Sequence, residues 1–184
     1  MKSIFNFAVI GCVFSISIAD FATAEAEPIR VACLGVSITA GARVDATNQS
    51  YPARVQELLG DTYEVRNFGI GGATLIKTGQ PSIWRTLDAV RQFQPHIAII
   101  SLGTNDTVSG RRKNWEQIER FDDDFIELIG ALQELATKPH VVICTPTAMV
   151  LKTPELSAGR LADLSARKTR LQELCVRIRK LAIK

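Results

Sequence analysis

Histidine is scarce in this chain of 184 residues, which contains only His96 and His140. The four cysteines show no spacing with these histidines that is typical of a metal site, so neither a metal nor another cofactor is expected. Aromatic residues make up 7% of the chain, the net charge is +3, and aromatic and basic residues are not interleaved. Nucleic acid is therefore not expected as a partner.

The overall composition is that of a globular protein. Hydrophobic residues make up 46% of the chain and charged residues 22%, which does not favour disorder. A chain of this length can bury one sizeable hydrophobic core. Because the sequence has no internal repeat and no low-complexity tract, we expect one folded domain; its oligomeric state does not follow from the sequence.

The N-terminal segment has the layout of a secretory signal peptide. Lys2 precedes an uncharged apolar stretch over residues 4–19, and small residues follow that allow cleavage after Ala24 or Ala26. The alternative is a membrane anchor, but the stretch is shorter than the roughly 18 apolar residues that indicate a spanning helix. We therefore predict a cleaved signal peptide with no stable membrane insertion afterwards, and a periplasmic or secreted protein.

This interpretation divides the chain into a signal peptide, residues 1–26, and a mature domain, residues 27–184. The mature domain contains Cys33, Cys144 and Cys175. An odd number of cysteines in an exported protein leaves at least one thiol unpaired. Buried free cysteines and a disulfide between two of the three both remain open.

Short apolar runs alternate with helical periodicities along the mature domain. Strands are predicted at residues 29–34, 63–67, 97–102 and 141–144, and helices at 51–59, 83–93, 115–135 and 161–183. This alternation predicts an α/β fold whose parallel sheet carries helices on both faces. A strand normally follows a crossover helix, so we expect the sheet to lack its last strand.

Three predicted strands are followed by residues that can carry chemistry. Ser37 lies on the turn Gly35-Val-Ser-Ile-Thr39, Gly72 follows the second strand, and Asn105 follows the third. The carboxyl ends of parallel strands meet at one edge of the sheet, where such folds place their sites. The Ser37 hydroxyl could act as a nucleophile there, with the Gly72 N–H and the Asn105 side chain as donors to an oxyanion.

Together these motifs resemble the SGNH/GDSL hydrolase family. The turn at Ser37 is similar to the family's first block, residues 67–74 to its second, and Gly103-Thr-Asn-Asp106 to its third. The resemblance covers residues 29–146 and implies a flavodoxin-like three-layer α/β/α sandwich that hydrolyses acyl or acetyl esters, often of carbohydrates or lipids. Its partners would be small-molecule or glycan esters. The resemblance assigns Ser37 as nucleophile, and its own N–H, Gly72 and Asn105 to the oxyanion hole.

The chain departs from the family pattern in two places. Val36 stands where the family has an aspartate before the serine, and the family's C-terminal Asp-x-x-His, which supplies the base, does not occur. Each of the two histidines begins a predicted strand, so we expect both at the edge of the sheet opposite Ser37. Asp45 and Asp106 are the remaining candidates for a base, and Asp106 is more simply interpreted as a turn-capping residue.

Two functions therefore remain open. The chain is either an exported ester hydrolase that lacks its Asp-x-x-His block, or a catalytically inactive protein that binds an acylated glycan or lipid in the same pocket. A nucleotide or flavin binder fits poorly, because residues 69–74 and 35–41 lack the glycine or lysine pattern that phosphate binding needs.

Overall fold

The computed structural model describes residues 26–152 and 154–182. All but the last residue of the predicted signal peptide lie outside these ranges, so export stays a prediction. In the described ranges, no helix combines the length and the apolar character needed to cross a membrane.

Strands and helices alternate along the described residues, as the sequence predicts. The strands are β1 (Ile29–Gly35), β2 (Tyr63–Gly69), β3 (Ile97–Ser101) and β4 (His140–Cys144), and the α-helices are α1 (Tyr51–Leu59), α2 (Leu87–Phe93), α3 (Phe121–Gln133) and α4 (Ala158–Leu181). The strands pair in parallel in the order β2-β1-β3-β4. This confirms the predicted α/β fold with a flavodoxin-like strand order. That the sheet lacks its last strand stays a prediction.

The hydrophobic core lies on one face of the sheet. Right-handed crossovers place α2 and α3 on this face and α1 on the other, because β2 lies on one side of β1 and β3 lies on its other side. Leu34 and Ile100 point from the sheet toward Phe121, Phe125 and the other apolar residues of the core cluster, and all four side chains are buried. Each such side chain contributes about 1.5–3 kcal/mol by leaving water.

The opposite face of the sheet is only partly covered. In β3, Ala98 and Ile100 are fully buried, whereas Ile97 and Ile99 are half-buried. In α1, which covers β2 on this face, Leu58 is 80% exposed. β3 is therefore fully buried on one face and half-buried on the other, because its apolar run shows strand character but not what packs against each side.

Two predicted helices begin with 3₁₀ turns rather than as continuous α-helices. These turns span Ile83–Thr86 before α2 and Trp115–Arg120 before α3. Asp124 ends the acidic run Asp122-Asp-Asp124 at the start of α3, where a solvent-facing side chain is the simplest expectation. That residue is buried, and its carboxylate accepts a 2.8 Å hydrogen bond from the Lys77 backbone N–H. A buried acceptor of this kind cannot be read from helical spacing.

Cys33, Cys144 and Cys175 are all unpaired in the structure. Cys33 is fully buried in β1, and Cys144 and Cys175 are half-buried. Burial raises the pKa of the Cys33 thiol to about 11, which keeps it protonated at neutral pH. The sequence left open free cysteines or a disulfide between two of them, and the structure contains three free thiols.

Candidate active site

Ser37 lies at the start of a helix-like turn directly after β1. The Ala40 N–H donates to the Val36 carbonyl at 2.9 Å, and the Ala42 N–H donates to the Ser37 carbonyl at 2.8 Å. The first N–H groups of such a turn have no partner within it and favour negative charge. The Ser37 side chain is half-buried, and its hydroxyl takes part in no hydrogen bond among the described residues.

The loop after β2 packs directly against the Ser37 turn. The Ile70 N–H donates to the Gly35 carbonyl at 3.0 Å, and the Asn67 side-chain amide donates to the Thr39 carbonyl at 2.7 Å. Gly69 permits this approach, since a Cβ there would lie 2.7 Å from the Thr39 carbonyl carbon. The Ser37 turn is therefore held by backbone contacts that leave no room for a side chain.

Gly72 and Asn105 lie next to each other at the same edge of the sheet. Gly72 has a φ of +79°, a conformation that favours glycine, and is followed by Ala73. The Asn105 side-chain amide donates to the Ala73 carbonyl at 2.9 Å, which leaves its second amide hydrogen free for another acceptor. The structure thus brings the second and third motifs together, at the edge where Ser37 follows the neighbouring strand.

Asp106 joins the second and third loops beneath this site. Its carboxylate is fully buried and accepts hydrogen bonds from the backbone N–H groups of Leu75 and Ile76, both at 3.0 Å. Burial raises its pKa to about 6, although these hydrogen bonds act in the opposite direction. The sequence predicts that Asp106 caps its own turn. In the structure its carboxylate instead binds the backbone of the neighbouring loop. Both oxygens bind that loop, so the contacts favour a positioning residue over a base.

Asp45, the other candidate base, is bound within its own loop. Its carboxylate accepts hydrogen bonds from the Thr47 hydroxyl at 2.6 Å, the Thr47 N–H at 3.0 Å and the Asn48 side chain at 2.8 Å. The Thr47 hydroxyl is the main reason that the pKa of this exposed carboxyl lies below its usual range. A carboxylate with a lowered pKa is a weak general base near neutral pH.

Both histidines lie at the amino edge of the sheet, as predicted. His140 is the first residue of β4, and His96 directly precedes β3. The His96 Nδ1 accepts a 3.0 Å hydrogen bond from the Arg30 N–H, which is also at the beginning of a strand. Because Ser37 follows the other end of β1, a strand of about five residues, or roughly 15 Å, separates these imidazoles from it.

Arg167 of α4 reaches the third motif loop, a contact that the sequence analysis did not anticipate. Its Nε donates to the Thr107 hydroxyl and its Nη2 to the Thr104 carbonyl, both at 3.0 Å. The residue is 7% exposed, and burial lowers the pKa of its guanidinium. Helical periodicity identifies α4 as basic and amphipathic but does not show which basic residue turns inward.

We expect Arg167→Ala to lower the free energy of unfolding by about 2–4 kcal/mol, because it leaves buried acceptors in the third loop without a donor. Urea denaturation followed by circular dichroism measures this change. Arg160→Ala is the matched control, since Arg160 is exposed on the same helix and pairs with Asp163 at 2.7 Å. That exposed pair should contribute less than about 1 kcal/mol, so equal losses in the two variants would contradict the buried role.

No group of three or more histidine, cysteine or acidic side chains in the described ranges is arranged to hold a metal ion. The carboxyl edge instead carries a serine hydroxyl on one loop and backbone N–H groups and an amide side chain on the loops packed beside it. Such a set can attack a carbonyl and stabilise the charge that develops on its oxygen.

Comparisons with known proteins agree with this chemistry. An acetylxylan esterase of Xylanibacter ruminicola is 37% identical over an alignment of 143 residues. The match covers 65% of this chain but only 28% of that protein's length. Among solved structures, an aryl esterase of M. smegmatis (TM-score 0.65, 18% identity, 85% of this chain and 80% of that chain) and a carbohydrate acetylesterase from Sinorhizobium meliloti (TM-score 0.65, 21% identity, 83% and 79%) share the fold. An acetyl xylan esterase is 26% identical with a TM-score of 0.53, over 80% of this chain and 74% of that one. Residues 33–182 match the GDSL-like Lipase/Acylhydrolase family, a range that includes all three motifs, and the chain therefore belongs to that family.

Proposed function

We propose that this protein is an ester hydrolase that removes acetyl or other acyl groups from carbohydrates, with Ser37 as its nucleophile. The observation that carries the proposal is the packing of three motif loops at one edge of the sheet. The end of β2 binds the Ser37 turn through Asn67, and the loop after β3 binds the loop after β2 through Asn105. A single site can therefore contain the Ser37 hydroxyl, the Gly72 N–H and the Asn105 amide.

The proposed reaction has two steps. The Ser37 oxygen attacks the ester carbonyl carbon, and the oxyanion accepts hydrogen bonds from the N–H groups of Ser37 and Gly72 and from the Asn105 amide. When the intermediate collapses, the alcohol leaves with a proton and the acyl group remains on Ser37. Water then attacks this acyl-serine, releases the carboxylic acid and restores the hydroxyl.

The proton of Ser37 needs an acceptor, and neither histidine is placed to take it. The Asp45 carboxylate is hydrogen-bonded within its own loop, and the Asp106 carboxylate is hydrogen-bonded to the Leu75 N–H. Without a positioned base, the Ser37 hydroxyl must give up its proton to water or buffer, which forfeits most of the rate of a complete Ser-His-Asp set. We therefore expect slow, Ser37-dependent turnover from this chain.

The carbohydrate part of the proposal is supported by the relatives. The matched protein of Xylanibacter ruminicola is an acetylxylan esterase, and one structural neighbour is a carbohydrate acetylesterase. The predicted export of this chain would give it access to polysaccharides outside the cytoplasm.

Release of acetate from acetylated xylan, together with hydrolysis of p-nitrophenyl acetate, tests the proposal. Ser37→Ala should reduce both rates to background, while Ser165→Ala, which removes an exposed hydroxyl of α4, should leave them unchanged. Because neither histidine can reach Ser37, added imidazole should raise the Ser37-dependent rate, measured as the difference between wild type and Ser37→Ala. Equal rates for wild type and Ser37→Ala with both substrates, with or without imidazole, would contradict the proposal.

The position of the two histidines favours a second candidate, a protein that binds an acylated glycan without hydrolysing it. This candidate predicts saturable binding of acetylated xylooligosaccharides, no release of acetate, and no labelling of Ser37 by a fluorophosphonate. Labelling of Ser37 would show a reactive hydroxyl and favour the hydrolase.

A further inference from the structure

A basic loop that the proposed reaction does not use lies over one of the proposed oxyanion donors. It connects β3 to the 3₁₀ turn before α3 and contains Arg111, Arg112 and Lys113. The Arg112 Nη1 donates to the Gly72 carbonyl at 3.4 Å, and a Cβ added to Gly72 would lie 3.2 Å from that nitrogen. A full positive charge therefore lies beside the residue whose N–H is proposed to face the reacting carbonyl.

The charge of Arg112 is not neutralised by the carboxylates around it. Among the ion pairs of residues 26–152 and 154–182, none includes Arg112, whose side chain is exposed. Asp163 pairs with Arg160 and Arg167, and Glu116 binds the Ser109 hydroxyl and the Gly110 N–H.

Two further arginines approach this loop from α4. Arg170 donates to the Thr107 carbonyl at 3.0 Å, and Arg167 binds the Thr107 hydroxyl. Burial is the main cause of the lowered pKa of Arg167, and the charge of Arg112 acts in the same direction. Cations therefore outnumber the free carboxylates on this side of the site.

We propose that Arg112 makes the site selective for sugar esters that carry an anionic group, a carboxylate or a phosphate, close to the acyl group. The inference rests on the proposed function, because it concerns the same site. An exposed guanidinium binds a carboxylate or phosphate through paired N–H donors, and its position at Gly72 puts that anion next to the scissile ester.

The size of the effect follows from the exposure of Arg112. Opposite charges about 5 Å apart in a largely aqueous setting favour the charged ester by about five-fold in KM. Salt weakens such an interaction, so the preference should shrink between about 0.05 M and 0.5 M sodium chloride.

Matched acetyl esters test the proposal with the full chain. Acetylated methyl glucuronoside, methyl glucoside 6-phosphate and methyl glucoside share the sugar ring and differ in charge. Wild type should show a kcat/KM about five-fold higher for one or both anionic esters than for the neutral one. The anionic ester that is preferred identifies carboxylate or phosphate as the group that the site binds. Arg112→Gln should bring these ratios to about one, whereas Arg111→Gln, which changes the adjacent exposed arginine, should keep them.

A different role for Arg112 would give a different pattern. If the guanidinium supported the oxyanion or the loop, Arg112→Gln would lower kcat/KM equally for charged and neutral esters, and the proposal would be overturned. A wild-type protein that does not distinguish the three esters overturns it as well.

Binding separates this inference from the proposed reaction. With Ser37→Ala, saturation-transfer NMR measures the affinity for each ester without turnover. Tighter binding of an anionic ester that is lost in the double variant with Arg112→Gln supports the inference even if wild type releases no acetate. Equal binding of charged and neutral esters overturns it, whatever the activity.

Discussion

Replacing Asp106 with alanine is expected to lower the free energy of unfolding by about 2–5 kcal/mol, because two buried backbone N–H groups lose their acceptor. These N–H groups belong to Leu75 and Ile76, which immediately follow the Gly72 loop and are fully buried themselves. Water cannot replace the carboxylate without opening the contact between the second and third loops. Urea denaturation followed by circular dichroism measures the loss.

Two further variants test this explanation. Asp123→Ala removes an exposed carboxylate from α3 and should change the free energy of unfolding by less than about 0.5 kcal/mol. Asp106→Asn keeps one carbonyl oxygen that can accept from the same N–H groups, so it should cost clearly less than Asp106→Ala. If alanine and asparagine at position 106 were equally destabilising, the hydrogen-bonded clamp would not be the cause.

The pH dependence of stability provides an independent measurement on Asp106. Its pKa is about 6 in the folded chain, compared with about 3.9 for an unfolded aspartate. Between these values the folded state holds a proton that the unfolded state releases, so this carboxyl favours folding at low pH. Its contribution is lost as the pH rises from about 4 to about 6, by up to about 3 kcal/mol. The free energy of unfolding of wild type minus that of Asp106→Asn should therefore decrease from pH 4 to pH 7. A difference that does not change with pH would contradict the raised pKa.

Gly69→Ala is expected to destabilise the protein by about 3 kcal/mol and to reduce Ser37-dependent hydrolysis at least about ten-fold. The new Cβ would overlap the backbone between Thr39 and Ala40, and backbone atoms cannot rotate away as a side chain can. Relief requires the loop after β2 to separate from the Ser37 turn. This movement breaks the Asn67 to Thr39 hydrogen bond and moves the proposed oxyanion donor away from the nucleophile.

Gly71→Ala is the control for this substitution. A Cβ at Gly71 would meet no atom within 4 Å, and the residue lacks the positive φ of Gly72. Its effect on the thermal midpoint should be small, while Gly69→Ala should lower the midpoint by several degrees, since about 1 kcal/mol corresponds to roughly 2–8 °C. Similar midpoints for the two variants would show that the tight approach at Gly69 is not required.

Local patterns were sufficient to predict the order of elements in this chain. α1 has the bounds that its periodicity predicts, and the predicted strands agree with β1 to β4 within two residues at each end. This succeeds because a buried parallel strand needs a continuous apolar run, and a helix needs apolar residues at spacings of three and four. The same patterns did not show the 3₁₀ turns before α2 and α3, where contacts with distant loops set the backbone.

The sequence alone determined the fold class, the family, and the edge of the sheet at which Ser37, Gly72 and Asn105 lie. Strand ends and parallel topology fix that edge, because every carboxyl end points the same way. Only the tertiary structure decided which groups are buried around the site. It placed Asp106 on the backbone of Leu75 and Ile76 and Arg112 beside Gly72. These contacts join residues at least 30 positions apart, and an aspartate or arginine has the same local sequence pattern whether it faces water or a neighbouring loop.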